Sequence, residues 1–337
     1  MISTQAAPEN LVSSDGKPSY GHFDGIPKQI TADRFDYRNT MDKRANSVTK
    51  YFHYKQFQFV SLKTARFIIG FAIADIRYLG SSFCYVYDIE NNSLSEQNWL
   101  RPLSLDKKMT QSPYSGVSHI AGAKLRFEIE QGQWQVKVHS RDLKLDIALY
   151  SPEASLPLCV CTPTAYSGWT YTQKHNALAV KGVLEINGKP ESLEGALASY
   201  DFSAGYMRRE TSWRWANINS SQDHTLLGLN LAAGVNETGS CENALWVNGQ
   251  RHLLSPVHFL FDRDHIDRDW RVHSDDGRVE LSFKPLNRRS EKLNLLLLKS
   301  NFRQFIGLFD GFVIDGNGQK HPFNNVLGLT EDHYAKW

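Results

Sequence analysis

The chain has 337 residues, of which 41% are hydrophobic and 22% charged, with a formal net charge of +2. That length can hold two full hydrophobic cores, and near-neutral charge without a long basic run argues against nucleic acid as a partner. No 18-residue apolar stretch spans a membrane and no basic-then-apolar leader opens the chain; with four cysteines that lack CxxC spacing, these features predict a cytoplasmic protein with reduced thiols.

Residues 1–50 are polar, carry Pro8, Pro18, Pro27, Gly16, Gly21 and Gly25, and keep no period of 2 or 3.6. An irregular arm laid over the body is expected there. From Tyr51 the pattern becomes β. Segments 57–62, 67–76 and 83–88 are rich in aromatic and β-branched residues. Val136, Val138, Leu143, Leu145, Ile147 and Leu149 alternate with polar residues, as in half-buried strands. Asn187-Gly188 and Asn248-Gly249 are pairs favoured in type I′ hairpins.

The chain also repeats itself once. Trp134-Gln135-Val136-Lys137-Val138-His139-Ser140 returns as Trp270-Arg271-Val272-His273-Ser274. Lys181-Gly182-Val183-Leu184-Glu185-Ile186 returns as Asp310-Gly311-Phe312-Val313-Ile314-Asp315, and Tyr85-Val86-Tyr87-Asp88 is echoed by Leu245-Trp246-Val247-Asn248. The order is kept, and the offset of about 130 residues is that of a domain rather than a solenoid repeat. The expected architecture is all-β, with two tandem, related antiparallel β-barrel or sandwich domains: an arm at 1–50, a first domain at 51–208 and a second at 209–337.

Arg209, Thr211, Trp213 and Trp215 fall at every second position, which on a strand places them on one face. That combination suits a cavity wall with aromatic sides and a fixed cation. Arg209 could equally pair with Asp201 or Glu242 and fasten the two halves. Asp201 and Glu242 are the candidate catalytic carboxylates. Pairing Arg209 with Glu242 would leave Asp201 as the acid, since an isolated buried carboxylate pairs or protonates. Lys174, Arg209, Thr211, Trp213, Trp215 and Trp246 are the candidate ligand-binding residues, with Lys174 able to hold an anionic group.

The run from Asp262 to Asp269 lacks the glycine and final glutamate of a calcium loop and is interleaved by Arg263 and Arg268, so it reads as a solvated turn and no metal is expected. No nucleotide-binding or zincin motif is present, and no cofactor is implied.

Thr172-Gln173-Lys174, Asp201-Phe202-Ser203-Ala204-Gly205-Tyr206, Arg209-Glu210-Thr211-Ser212-Trp213-Arg214-Trp215, Glu242-Asn243-Ala244-Leu245-Trp246 and Gly328-Leu329-Thr330-Glu331-Asp332-His333-Tyr334 together resemble the bacterial domain-of-unknown-function family 2804. The resemblance runs from about Tyr51 to the C-terminus and brings no activity with it. In architecture the chain is also similar to the double lipocalin-like (calycin) proteins, the group holding carotenoid hydratases and tocopherol cyclases. This implies paired lipocalin-like barrels, not a function.

The leading functional expectation is a binding protein for a small apolar or amphipathic ligand, of lipid or isoprenoid class, held in a barrel or at the seam. The alternatives are an acid-catalysed hydratase or cyclase on the same scaffold, and a carbohydrate-active β-sandwich. An apolar cavity favours the first two. An open groove with facing carboxylates favours the third.

Overall fold

Alternation of apolar and polar side chains runs through most of the chain, and the backbone follows it into strands. The computed structural model describes residues 2–103, 105–236, 239–295 and 298–337. The first sheet takes β1 (Thr4–Ala6), β2 (Gly21–Asp24), β3 (Lys55–Lys63), β4 (Phe67–Asp75), β5 (Leu79–Asp88), β6 (Ser93–Pro102), β7 (Lys107–Lys108), β8 (Gly116–Ile120), β9 (Leu125–Glu130), β10 (Gln133–His139), β11 (Leu143–Tyr150), β12 (Leu158–Thr164), β13 (Gly168–Ile186), β14 (Lys189–Pro190) and β15 (Leu197–Gly205). The second takes β16 (Glu210–Gln222), β17 (Thr225–Ala233), β18 (Ala244–Val247), β19 (Gln250–Leu253), β20 (Val257–Leu260), β21 (Trp270–Ser274), β22 (Val279–Asn294), β23 (Lys299–Ile314) and β24 (Lys320–Lys336). A short helix, α1 (Ser47–His53), is capped by the Asn46 side chain and leads into β3.

Apart from the parallel β1–β2 pair, each sheet is antiparallel, and its first and last long strands pair. β3 lies against β15, and β16 against β24. The main order β6-β5-β4-β3-β15-β13-β11-β10-β9 in the first sheet has a counterpart, strand for strand, in β19-β18-β17-β16-β24-β23-β22-β21-β20. The first is a nearly closed, lipocalin-like barrel and the second a half-barrel. In the arm, β1 pairs with β2, and β2 pairs with β12.

The repeat is visible at the level of register. Val136 lies opposite Ile147, which lies opposite Gly182. Val272 lies opposite Leu281, which lies opposite Gly311. Both glycines have positive φ, 140° and 129°. A Cβ on either would sit 2.1 Å from a backbone oxygen, that of Asp146 or Glu280. The glycine returns in both halves because the neighbouring strand leaves no room for a side chain. Asn187-Gly188 and Asn248-Gly249 both take positive φ at the two turn positions, as a type I′ hairpin requires.

Apolar side chains gather in four clusters among the described residues, the smallest of them Leu158, Ala244 and Trp246. Trp134, Phe127 and Tyr200 belong to the core of the first barrel, where Trp134 stacks on Tyr200 at 4.7 Å. Trp270, Phe283, Phe305 and Phe309 belong to the core of the second. The third cluster, with Phe59, Ala72, Tyr85, Trp215, Ile306 and Leu329, joins the outer faces of the two sheets. Beside it, a bulge in β13 at His175–Leu178 gives Ala177 a positive φ. It also turns Asn176 toward the second sheet, where its amide donates to the carbonyls of Ile218 and Leu229. No helix among the described residues is long and apolar enough to cross a membrane.

Candidate functional site

Strand alternation and register build a cavity of about 250 Å³ in the seam between the two sheets. On the first sheet, Lys174, Asp201, Phe59, Ala72 and Phe83 form one cross-strand row. On the second, Ala232, Trp215, Glu331, Gln304 and Arg289 form the facing row. Two residues further out, Ser203, Phe57, Ala74 and Ser81 face Trp213, His333, Phe302 and Glu291. Only every second residue can face the seam. Below the inner row the sheets meet: the Ser61 and Ser199 hydroxyls lie 2.7 Å apart, one donating to the other, and the hydroxyl left free to donate reaches Asn217 Oδ1, which lies 3.3 Å from Ser61 and 3.0 Å from Ser199. Those contacts close the floor.

The aromatic wall crosses the seam. Phe59 meets Trp215 edge-on at 5.7 Å and Phe83 lies 6.2 Å from Phe302 across it, while within the second sheet Trp213 lies 4.2 Å from the His333 ring. The Arg289 guanidinium sits 3.9 Å from the Phe83 centroid and 5.0 Å from that of Phe302, while bonding Glu96 and Asn98.

One end of the cavity carries a buried charge cluster. Lys174 and Asp201 are direct cross-strand partners, so their side chains lie side by side and form an ion pair. Lys174 Nζ also lies 3.2 Å from Glu242 Oε2. Ser203 donates to Asp201 at 2.8 Å, and Asn236 donates to Glu242 at 3.2 Å. Burial works against the Lys174 ammonium, but the two carboxylates outweigh it and its pKa moves up. Burial raises Glu242, Lys174 opposes that, and Asp201 adds to it.

Two expected residues lie elsewhere. Arg209 is exposed and precedes β16, which begins at Glu210, so it does not share the face of Thr211, Trp213 and Trp215. Lys174 supplies the cation in its place, because the β13–β15 register sets it beside Asp201. The expected order of the acids also reverses, since Asp201 is the tighter partner and Glu242 the carboxyl that burial raises. Trp246 is fully buried away from the cavity; its indole donates to Leu156 O at 2.9 Å and its ring packs 5.6 Å from His175. It fastens β18 to the loop before β12. Lys174, Asp201, Thr211, Trp213, Trp215 and Glu242 all line the cavity.

Glu331 and His333 were not singled out by sequence. Both line the cavity. Glu331 Oε1 accepts from Gln304 at 2.7 Å and Oε2 from the Trp213 indole at 3.2 Å. Burial nevertheless lifts its pKa to about 7, the two hydrogen bonds offsetting only part of the rise. The charges of Lys174 and Asp201 are near enough to be felt at this carboxyl. Burial holds the His333 imidazole neutral, with a pKa of about 3, and its Nε2 bonds Ser300 at 3.0 Å. The signal was present: Glu331, His333, Ala335 and Trp337 alternate as Thr211, Trp213 and Trp215 do.

Among the described residues no group of three His, Cys, Asp or Glu side chains is placed to hold a metal ion.

The family model for the domain of unknown function DUF2804 matches residues 3–337, and the chain belongs to that family. No curated protein matches the sequence. Among solved structures, CghA with Sch210972 is similar with a TM-score of 0.51 at 10% identity, over 83% of this chain and 88% of that one. A Nitrosomonas europaea protein assigned as AttH gives 0.48 at 13% identity, over 82% and 92%. Kievitone hydratase from Nectria haematococca gives 0.46 at 10%, over 84% and 88%. The likeness to CghA is one of fold.

Proposed function

We propose that the protein is an acid–base enzyme that hydrates or cyclises a small, largely apolar molecule held in the seam cavity. The observation that carries this reading is Glu331, a carboxyl with a pKa of about 7 in an aromatic-walled cavity. A neutral acid at that pKa can protonate a carbon–carbon double bond and is strong enough to give its proton up. The proton adds to one carbon, leaving a cation on the other and a carboxylate on Glu331. The faces of Trp213 and Trp215 stabilise that cation. Attack by water, or by an internal double bond followed by loss of a proton, completes the reaction and returns one proton to Glu331. In this reading Lys174, Asp201 and Glu242 form the polar end that receives an oxygen of the substrate. Asp201 and Glu242 share one lysine instead of flanking an open groove, which favours this chemistry over sugar cleavage. Binding of a lipid- or isoprenoid-class molecule is its first step, and the shared fold of CghA, solved with Sch210972, accords with it.

Incubation with an apolar cell extract in D₂O tests the proposal. One component should gain deuterium at carbon, either with one hydrogen exchanged and otherwise unchanged elemental composition (cyclisation) or with added D₂O (hydration). Labelling should fail with Glu331→Gln. Equal labelling by the variant would refute the assignment.

A further inference from the structure

The seam cavity opens at one end of both sheets, and register fixes what surrounds the opening. Lys55 lies opposite Gly205 at the start of β3, and Leu79 lies opposite Pro102 at the end of β6. Glu210, Lys336, Lys299 and Asn294 pair in sequence at the ends of β16, β24, β23 and β22. The mouth is therefore ringed by α1, the turn after β4, Leu103 and Leu105 beyond β6, and the paired ends of β22 and β23. Local contacts bind these pieces together. Lys55 Nζ donates to the carbonyls of Phe52 and Ile76, Arg77 sits 5.0 Å over the Tyr51 ring, and Leu103 N donates to Tyr78 O.

This ring presents apolar side chains to solvent. Helix α1 buries none of its residues, and its Val48, Tyr51 and Phe52 are exposed. Leu103 and Leu105 are 51% and 62% exposed, and Leu295 52%. Leu100, Leu293 and Leu298 continue the apolar surface into the cavity. Leu103 holds a left-handed backbone, φ 51°, a turn position that favours Gly or Asn. Neither burial nor turn geometry accounts for a leucine there.

The charge around the ring leans positive. Asp106 is engaged by Arg101, Glu210 by Lys336 and Glu291 by Arg289, while Asp33, whose carbonyl accepts from Lys50 of α1, is exposed and forms no ion pair among the described residues. Lys108, Arg209, Lys292 and Lys299 are exposed and, among the described residues, form no ion pair. Exposed leucines and aromatics with surplus cations around them match the two attractions that hold proteins on anionic bilayers.

We propose that this rim docks on an anionic lipid bilayer, placing the cavity mouth against the membrane so that an apolar molecule passes between the two without crossing water. The docking surface does not depend on what Glu331 does, so vesicle binding and the labelling reaction fail independently. Sedimentation with vesicles of phosphatidylcholine, alone or mixed with phosphatidylglycerol, tests it. The intact chain should pellet with the mixed vesicles, more weakly at high salt. A Leu103→Asn, Leu105→Asn variant should fold normally, because asparagine suits the left-handed turn, and should bind roughly tenfold more weakly. Lys108→Glu with Lys292→Glu should lose the preference for phosphatidylglycerol. The proposal is overturned if the intact chain stays in the supernatant with both vesicle types, or if the leucine variant binds equally well. It is also overturned if sedimentation velocity without lipid shows a dimer that the leucine variant abolishes, which would assign the rim to a second copy.

Discussion

Changing Glu331 to glutamine is expected to lower turnover by about 10²–10⁴-fold and to leave the fold intact. Glutamine keeps the size of the side chain and can still accept from the Trp213 indole or Gln304, but it has no proton to give. The same change should alter stability in a pH-dependent way. Glu331 has a pKa of about 7 in the folded protein against an ordinary value of 4.5. The folded state thus holds this proton more tightly than the unfolded chain. Its contribution favours folding fully below the unfolded value and is lost as pH rises through about 7. A shift of this size corresponds to roughly 3 kcal/mol at most. Glutamine does not titrate, so the variant should gain on the natural protein between pH 4.5 and 7 and keep that gain at higher pH. Urea unfolding at pH 5 and pH 8 measures the difference. A variant less stable at pH 8 would mean that Glu331 holds the seam together.

Replacing Lys174 by methionine is expected to destabilise the protein by about 3–5 kcal/mol. Methionine fills similar space, so little of this is a packing loss. The cost comes from Asp201 and Glu242, which keep their buried positions and lose the cation between them. Adding Asp201→Asn and Glu242→Gln to the methionine variant removes both charges and should recover much of the loss. Chemical unfolding of the two variants decides it. An unchanged midpoint in Lys174→Met would mean that the carboxylates reach solvent through the cavity.

The repeat was legible in the sequence because its markers answer to local constraints. Gly182 and Gly311 recur where a neighbouring backbone excludes a side chain; the Asn-Gly pairs mark turns that need positive φ, but they follow β13 and β18, which are not counterparts in the repeat. The face carrying Thr211, Trp213 and Trp215 was legible from period 2 alone. Arg209 was misplaced by extending that period one step past the start of β16, a boundary that side-chain pattern does not mark. The partner of Asp201 depends on the β13–β15 register, a long-range property that no local pattern contains. Glu331 was hidden for the same reason. In Thr330-Glu331-Asp332-His333 every polar residue looks solvent-bound, until β24 is set between β16 and β23.

The central claim is that the seam holds a carboxyl that keeps its proton near neutrality. Carbon-13 NMR of glutamate side-chain carboxyls over a pH series measures this directly, with the Glu331 resonance identified by its loss in Glu331→Gln. The account predicts a midpoint near the value of about 7, well apart from the exposed glutamates. A Glu331 midpoint at or below the ordinary 4.5 would contradict it.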